Sequence, residues 1–341
     1  MPLPRLPLVT LYLTERCNSR CVTCDYWRNG RSGLDLNAVA RLLPDFDRLG
    51  TEVALISGGE PLLNPQWAEI AGLLQRHGLA VWLLTSGLAL GKCAQRASAL
   101  FRLITVSLDG ADRETYAAIR GVDAFRVVCR GIRTAAGMGV PVSVRVTLQR
   151  GNFRQLTELI DLAQGLGATQ ISFLAIDVAS RTAFGRHPQE APAEHLCRLV
   201  PDGEELTEFE RLITALEHER AAAFESGFIA ESPLKLRRIL EYFRAVRGLG
   251  PYPPVHCNAP EFSAVIDARQ RVHPCFFIQG PDPLEGFHGL AQALDSAGMS
   301  SLRAAIREGI RPECATCVCS MWRSARDTGT SGVLPPLRRS A

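Results

Sequence analysis

Leu8-Val9-Thr10-Leu11-Tyr12-Leu13, followed by Cys17-Asn18-Ser19-Arg20-Cys21-Val22-Thr23-Cys24, is a short apolar run that gives way to three cysteines spaced C-x3-C-x2-C. Three thiolates can ligate three irons of a four-iron cubane and leave one iron without a protein ligand. That open iron is where chemistry can happen. A structural zinc site would need four protein ligands, and no further Cys or His stands nearby. The place in the sequence matters too, because α/β proteins gather reactive groups at the C-terminal ends of parallel strands.

Working outward, apolar β-prone runs recur at residues 8–13, 52–57, 80–85, 103–108, 140–147 and 170–175, with helix-like segments between them. The alternation predicts β–α units around a parallel sheet whose strands are covered on both faces. Asn64-Pro65 and Gly78 bracket one helix carrying Trp67, Ile70, Ala71 and Leu74, and Asn152 and Gly167 bracket another carrying Leu156, Leu159, Ile160 and Ala163. Six units fall short of the eight of a closed barrel, so a partial, laterally open (β/α)6 barrel is expected over residues 7–180. Residues 181–250 read as a helical connector, with helical periodicity at 204–224 and 233–246 and a polar stretch near 186–194. A Pro/Gly-rich joint at 248–254 marks the boundary of a Cys-rich domain, 251–323, and the Gly/Ser/Pro/Arg-rich end reads as a flexible tail, 324–341.

Bulk composition narrows the class. With 46% hydrophobic and 21% charged residues the chain is an ordinary globular one, and 341 residues suit one large domain with a smaller appendage. A net charge of +3 with scattered arginines leaves no footprint for nucleic acid or an anionic membrane. The proline-broken start and the short run 8–13 fit neither a signal peptide nor a membrane span, so a cytoplasmic location is expected. Eleven cysteines in that compartment point to metal rather than to disulfides.

With these residues in place, the chain resembles the radical S-adenosylmethionine (SAM) superfamily, whose signature is C-x3-C-x2-C after the first strand. Gly58-Gly59-Glu60-Pro61 resembles the family's GGEP motif at the end of the second strand, and Ser107-Leu108-Asp109-Gly110 with Arg120-Gly121 resembles its SLDG…RG stretch. The resemblance implies a [4Fe–4S] cluster on Cys17, Cys21 and Cys24 and SAM contacts from Gly58, Gly59, Glu60, Pro61, Ser86, Ser107, Asp109, Arg120 and Arg145. Thr85 and Thr147 are further candidates. Glycines let backbone approach a ligand closely, and a guanidinium fork suits a carboxylate. Ser107 and Asp109 could instead cap the next helix. Thr23 stands where many members carry an aromatic residue near the adenine. The chemistry implied is reductive cleavage of SAM to a 5′-deoxyadenosyl radical that abstracts a substrate hydrogen; the sequence singles out no residue acting on the substrate.

Beyond the joint, Cys257, Cys275, Cys314 and Cys317 form a second set, with a hairpin signal between the first two and a helix at 299–308 before C-x2-C. This resembles the twitch domain, the short form of the SPASM extension, which binds one auxiliary [4Fe–4S] cluster. Gln270 replaces the usual turn glycine. Zinc on two cysteine pairs is the rival, and Cys319 could stand in for a neighbour. Cys93, Cys129 and Cys197 read as buried core thiols. His273 reads as a hairpin-face residue or a donor to a cluster sulfur, and His187, His195, His256 and His288 as surface or loop residues.

The leading expectation is redox modification of a small biosynthetic metabolite, with the auxiliary cluster accepting an electron or anchoring the substrate. The alternative is a maturase acting on a ribosomally made precursor peptide, which the lack of a recognition domain before residue 7 disfavours. A non-enzymatic iron–sulfur or zinc scaffold is the third reading. A flavodoxin or ferredoxin type protein is the implied electron donor.

Overall fold

The computed structural model describes residues 3–186, 194–281 and 283–323. The expected tail and His187 lie outside them, as does most of the polar stretch near 186–194. All six expected strands form: β1 (Leu8–Thr14), β2 (Val53–Gly58), β3 (Ala80–Thr85), β4 (Leu103–Ser107), β5 (Val142–Leu148) and β6 (Gln170–Ala175). They pair in parallel in sequence order. Helices Trp67–Arg76, Leu90–Leu100, Phe125–Gly137 and Leu156–Gly165 fill the crossovers, and Gly78 and Gly167 take the left-handed conformation that closes two of them.

The hairpin does not stand apart. β7 (Ser263–Ile266) pairs in parallel with β1, and β8 (Val272–His273) returns antiparallel along it. The sheet therefore has eight strands in the order β6-β5-β4-β3-β2-β1-β7-β8. Gln270 makes the turn with φ 60°, a left-handed conformation tolerated here without the glycine.

The two faces of the sheet differ. Val9, Leu11 and Leu13, with Ala54, Ile56, Val81, Leu83, Ile104, Val106, Val144 and Val146, join the helices in one large core. On the concave face only Leu8, Val53, Trp82 and Leu103 form an apolar floor, with Leu55 and Ala80 packed on it. Above that floor the two-residue period places Thr10, Tyr12, Ser57, Thr105, Ser107, Arg145, Thr147 and Ser172. The expected cover of apolar residues on both faces is complete only at the bottom, since higher up the concave wall mixes these polar residues with Leu84, Leu174 and Val265.

The connector is helical, as expected: Gly203–Glu219, a break at Arg220, Ala221–Glu225, then Pro233–Val246. Asp202 starts the first helix with a reciprocal capping box to Glu205. Phe209 seats it on the barrel, its ring 5.6 Å from Phe153 and 5.9 Å from Phe243. Among the described residues no helix is long and apolar enough to cross a membrane. Phe209→Ala is expected to lower unfolding free energy by about 3–5 kcal/mol, the cost of emptying a fully buried aromatic site, read from denaturant unfolding at constant m-value.

Candidate functional site

The three-cysteine segment has almost no regular structure of its own and is held from outside. From β2, the Gly59 amide donates to the Thr14 carbonyl and the Glu60 amide to the Arg16 carbonyl, both at 2.7 Å. A Cβ at Gly59 would collide with the carbonyl oxygens of Glu15 and Arg16, so the glycine permits this approach. From the helix Arg113–Arg120, the Arg120 and Ile119 carbonyls accept the Arg20 and Val22 amides at 2.9 and 3.1 Å. Gly121, left-handed at φ 68°, lies against the Arg20 carbonyl where no side chain fits. From the loop after β6, the Phe184 carbonyl accepts the Asp25 amide at 2.8 Å and the Cys24 thiol at 3.4 Å. Arg186, ion-paired with Asp177 at 2.9 Å, also donates to the Thr23 carbonyl.

The residues expected to contact SAM separate into two groups. Glu60 is fully buried, and its carboxylate accepts from Thr85, Leu62 and both the amide and hydroxyl of Ser86. Asp109 accepts the Thr147 amide at 2.7 Å and pairs with Arg120 at 3.0 Å, while Asn152 donates to its carbonyl. These groups are occupied in bracing strand ends. The cap of the following helix is Asp112, whose carboxylate accepts the Thr115 amide, so the capping reading of Ser107 and Asp109 is corrected. Ser107 and Arg145 differ: they are register partners on β4 and β5, on the concave face, with no ion pair to a carboxylate among the described residues, and the buried Nε of Arg145, like that of Arg120, has no hydrogen-bond partner.

Burial pushes the Cys17 thiol up to about 11 and the Cys24 thiol up to about 12, and it raises the Cys21 thiol, opposed by Arg120. Burial works against the Arg120 charge too, but Cys21, Asp109 and Tyr116 around it outweigh that and raise its pKa. The bare thiols hold their protons at neutral pH, so any metal they take must displace them.

Sequence reading missed Tyr12. Its hydroxyl is raised by burial first, then by Cys275, Asp267 and Cys24, which places it between the two cysteine sets. Its ring lies 6.2 Å from Tyr26, two residues after Cys24, and 6.5 Å from Phe276, next to Cys275. A cavity of about 320 Å³ is lined by Tyr12, Tyr26, Arg186, Asp267, Arg271 and Cys275. The alternation of β1 already carried a signal for Tyr12; nothing local to Arg186 did.

Cys257, Cys275, Cys314, Cys317 and Cys319 line one apolar-walled cavity with Phe276, Ile306 and Met321. Burial pushes the Cys275 thiol up to about 12. Among the described residues no three His, Cys, Asp or Glu side chains close tightly enough to hold a single metal ion. His273 is locked on the hairpin: its Nδ1 accepts the Gly280 amide, so its Nε2 carries the proton donated to Asp267 at 3.0 Å. Cys129 is buried, Cys93 is half-buried, and Cys197 is exposed, which corrects its reading as a core thiol; it sits on the short helix Glu194–Cys197 beside the connector surface. His288 is exposed, and His256 is exposed and stacked on Trp322 at 3.6 Å. The side chain of His195 lies outside the described residues.

Residues 11–163 match the radical SAM superfamily. Among curated proteins, the chain is 33% identical over 187 residues to a probable GTP 3',8-cyclase of Saccharolobus islandicus, covering 51% of this chain and 59% of that one. It is 30% identical over 178 residues to the PqqA peptide cyclase of Streptomyces rochei, covering 47% and 45%. The chain thus spans about half the length of the curated relatives it matches. Among solved structures, Streptococcus suis SuiB bound to S-adenosylmethionine aligns with TM-score 0.65 at 14% identity over 88% of this chain and 68% of that one. The protein anSMEcpe with bound AdoMet and a Cp18Cys peptide aligns with TM-score 0.65 at 15% identity over 92% and 86%. At such identities the likeness is one of fold: a mixed α/β structure around a parallel sheet, consistent with the radical SAM barrel.

Asp109→Ala would leave the Arg120 guanidinium buried and unpaired beneath the cysteine loop. It is expected to cost about 3–5 kcal/mol of stability and to lower the iron taken up in anaerobic reconstitution, measured by thermal unfolding and iron assay.

Proposed function

Because residues 11–163 match the radical SAM superfamily, whose cofactors are a [4Fe–4S] cluster and SAM, we propose that the protein abstracts hydrogen from a small biosynthetic metabolite and modifies it by oxidation. The observation that supports this most is the position of Tyr12, on the concave wall between Cys24 and Cys275, in a cavity small enough for a metabolite. The substrate would then lie between the two cysteine sets.

Cys17, Cys21 and Cys24 would hold the cluster, and when bound it and SAM supply a 5′-deoxyadenosyl radical. Arg145 and Ser107 are the unspent polar pair on the concave wall, suited to the SAM carboxylate. Glu60, Asp109 and Arg120 act one step back: they fix the strand ends that aim the cysteine loop. The apolar floor of Leu8, Val53, Trp82 and Leu103 closes the bottom of the barrel to water. Cys257, Cys275, Cys314 and Cys317 would hold an auxiliary [4Fe–4S] cluster that accepts an electron or anchors the substrate, in a twitch-like domain. A flavodoxin or ferredoxin type protein would deliver the electron. A precursor peptide presenting one side chain to the same cavity is the alternative substrate, in line with the peptide-bound neighbour.

Anaerobically reconstituted protein is expected to hold about eight irons, four per cubane. Changing Cys17, Cys21 and Cys24 together to Ala should stop 5′-deoxyadenosine release and leave about four irons. Retained 5′-deoxyadenosine production in that variant would refute the assignment. Cys314→Ala and Cys317→Ala should still fold and release 5′-deoxyadenosine with dithionite, while product is lost or diverted; insoluble protein would instead mean a structural metal site.

A further inference from the structure

The second cavity carries one thiol too many. A cubane offers four irons and each takes one thiolate, yet Cys257, Cys275, Cys314, Cys317 and Cys319 all line it. Three of the five are fixed by their own backbone. Cys314 and Cys317 share one tight turn, with the Cys317 amide donating to the Cys314 carbonyl at 3.2 Å. Cys275 follows β8, which is paired antiparallel to β7.

Cys257 and Cys319 instead come from separate segments joined by one side chain. The Asn258 amide donates to the Met321 carbonyl at 2.9 Å, its Nδ2 donates to the Arg323 carbonyl at 2.8 Å, and its Oδ1 accepts the Arg323 amide at 2.9 Å. The residue after Cys257 is thus clamped to the strand-like segment that begins at Cys319. The Cys319 amide also donates to the Cys317 sulfur at 3.4 Å, which ties its backbone to a fixed ligand. Burial raises the Cys319 thiol, with Lys235 and Arg145 opposing it.

We propose that Cys257 and Cys319 are interchangeable ligands of one auxiliary iron, an inference that rests on the auxiliary-cluster reading above. Exchange breaks one iron–thiolate bond and makes another, and the outgoing thiolate takes the proton that the incoming thiol gives up. Iron oxidation state and total charge stay unchanged. The cluster then has three fixed corners and one labile corner.

The test compares full-length parent, Cys257→Ala, Cys319→Ala and the double variant, each reconstituted, saturated with SAM to protect the first cluster, and challenged with ferricyanide and EDTA. Iron retained is read against time, with the Mössbauer spectrum of the retained iron. Both single variants are expected to keep iron within about 20% of the parent, and the double variant to lose iron at least fivefold faster. Fast loss from either single variant would overturn the proposal, because then one thiol alone is the ligand. Slow loss from the double variant would overturn it as well, because neither thiol then ligates. A parent holding only about four irons would instead remove the auxiliary-cluster reading itself. Cys257→Ser and Cys319→Ser, read in the same way, cover an alanine variant that does not fold.

Discussion

The structure depends on holding one irregular segment, residues 15–25, in a fixed shape. A loop with few internal hydrogen bonds has no means of presenting three thiols to one point, and its unpaired backbone groups would be costly where they are buried. The fold answers by lending partners from three places along the chain: the turn after β2, the end of the helix Arg113–Arg120, and the loop after β6. All three lie at the same end of the sheet because parallel strands in sequence order deliver their C-terminal ends together. The cysteine site is thus a product of the whole barrel rather than of its own octapeptide.

The same end of the sheet explains the split between its faces. Helices cover the outer face and demand Val, Ile and Leu throughout. The inner face is apolar throughout only as far up as Leu55 and Trp82, and above that Ser, Thr, Tyr and Arg mix with Leu84, Leu174 and Val265. β7 adds a seventh parallel strand against β1, and Asp267 follows it at the rim. The second cysteine set therefore rides on the barrel's own sheet, which is how Tyr12 on β1 comes to sense Cys24 and Cys275 together.

Much of this was legible in the residues. The strands were, because six apolar runs alternate with capped helices, and the C-x3-C-x2-C spacing pointed to three thiols at one place. The face split was not, because an apolar run such as Leu8–Leu13 hides one Thr and one Tyr whose direction depends on register. The pairing of β7 with β1 was also hidden, since it joins residues 255 positions apart and a Pro/Gly-rich joint between them reads as separation. Cys197 was misjudged for a related reason: apolar neighbours in sequence do not ensure apolar neighbours in space.

The two arginines show how motif and geometry divide the work. Arg120 and Arg145 were both candidates for one carboxylate, and a guanidinium suits that task at either position. Arg120 already faces Asp109 at 3.0 Å and the Cys21 thiol, and its carbonyl holds Arg20, so a ligand would have to compete with the loop it supports. Arg145 projects from mid-strand on the open wall, beside Ser107 across the ladder; its buried Nε is unpaired, as is that of Arg120, but among the described residues its guanidinium makes no ion pair of the kind that joins Arg120 to Asp109. A buried donor without a partner costs about 1–3 kcal/mol, and a fold that carries that cost is relieved when an anion arrives. Its pairing with Asp109 ties Arg120 to the frame, and we propose Arg145 as the arginine that meets the ligand.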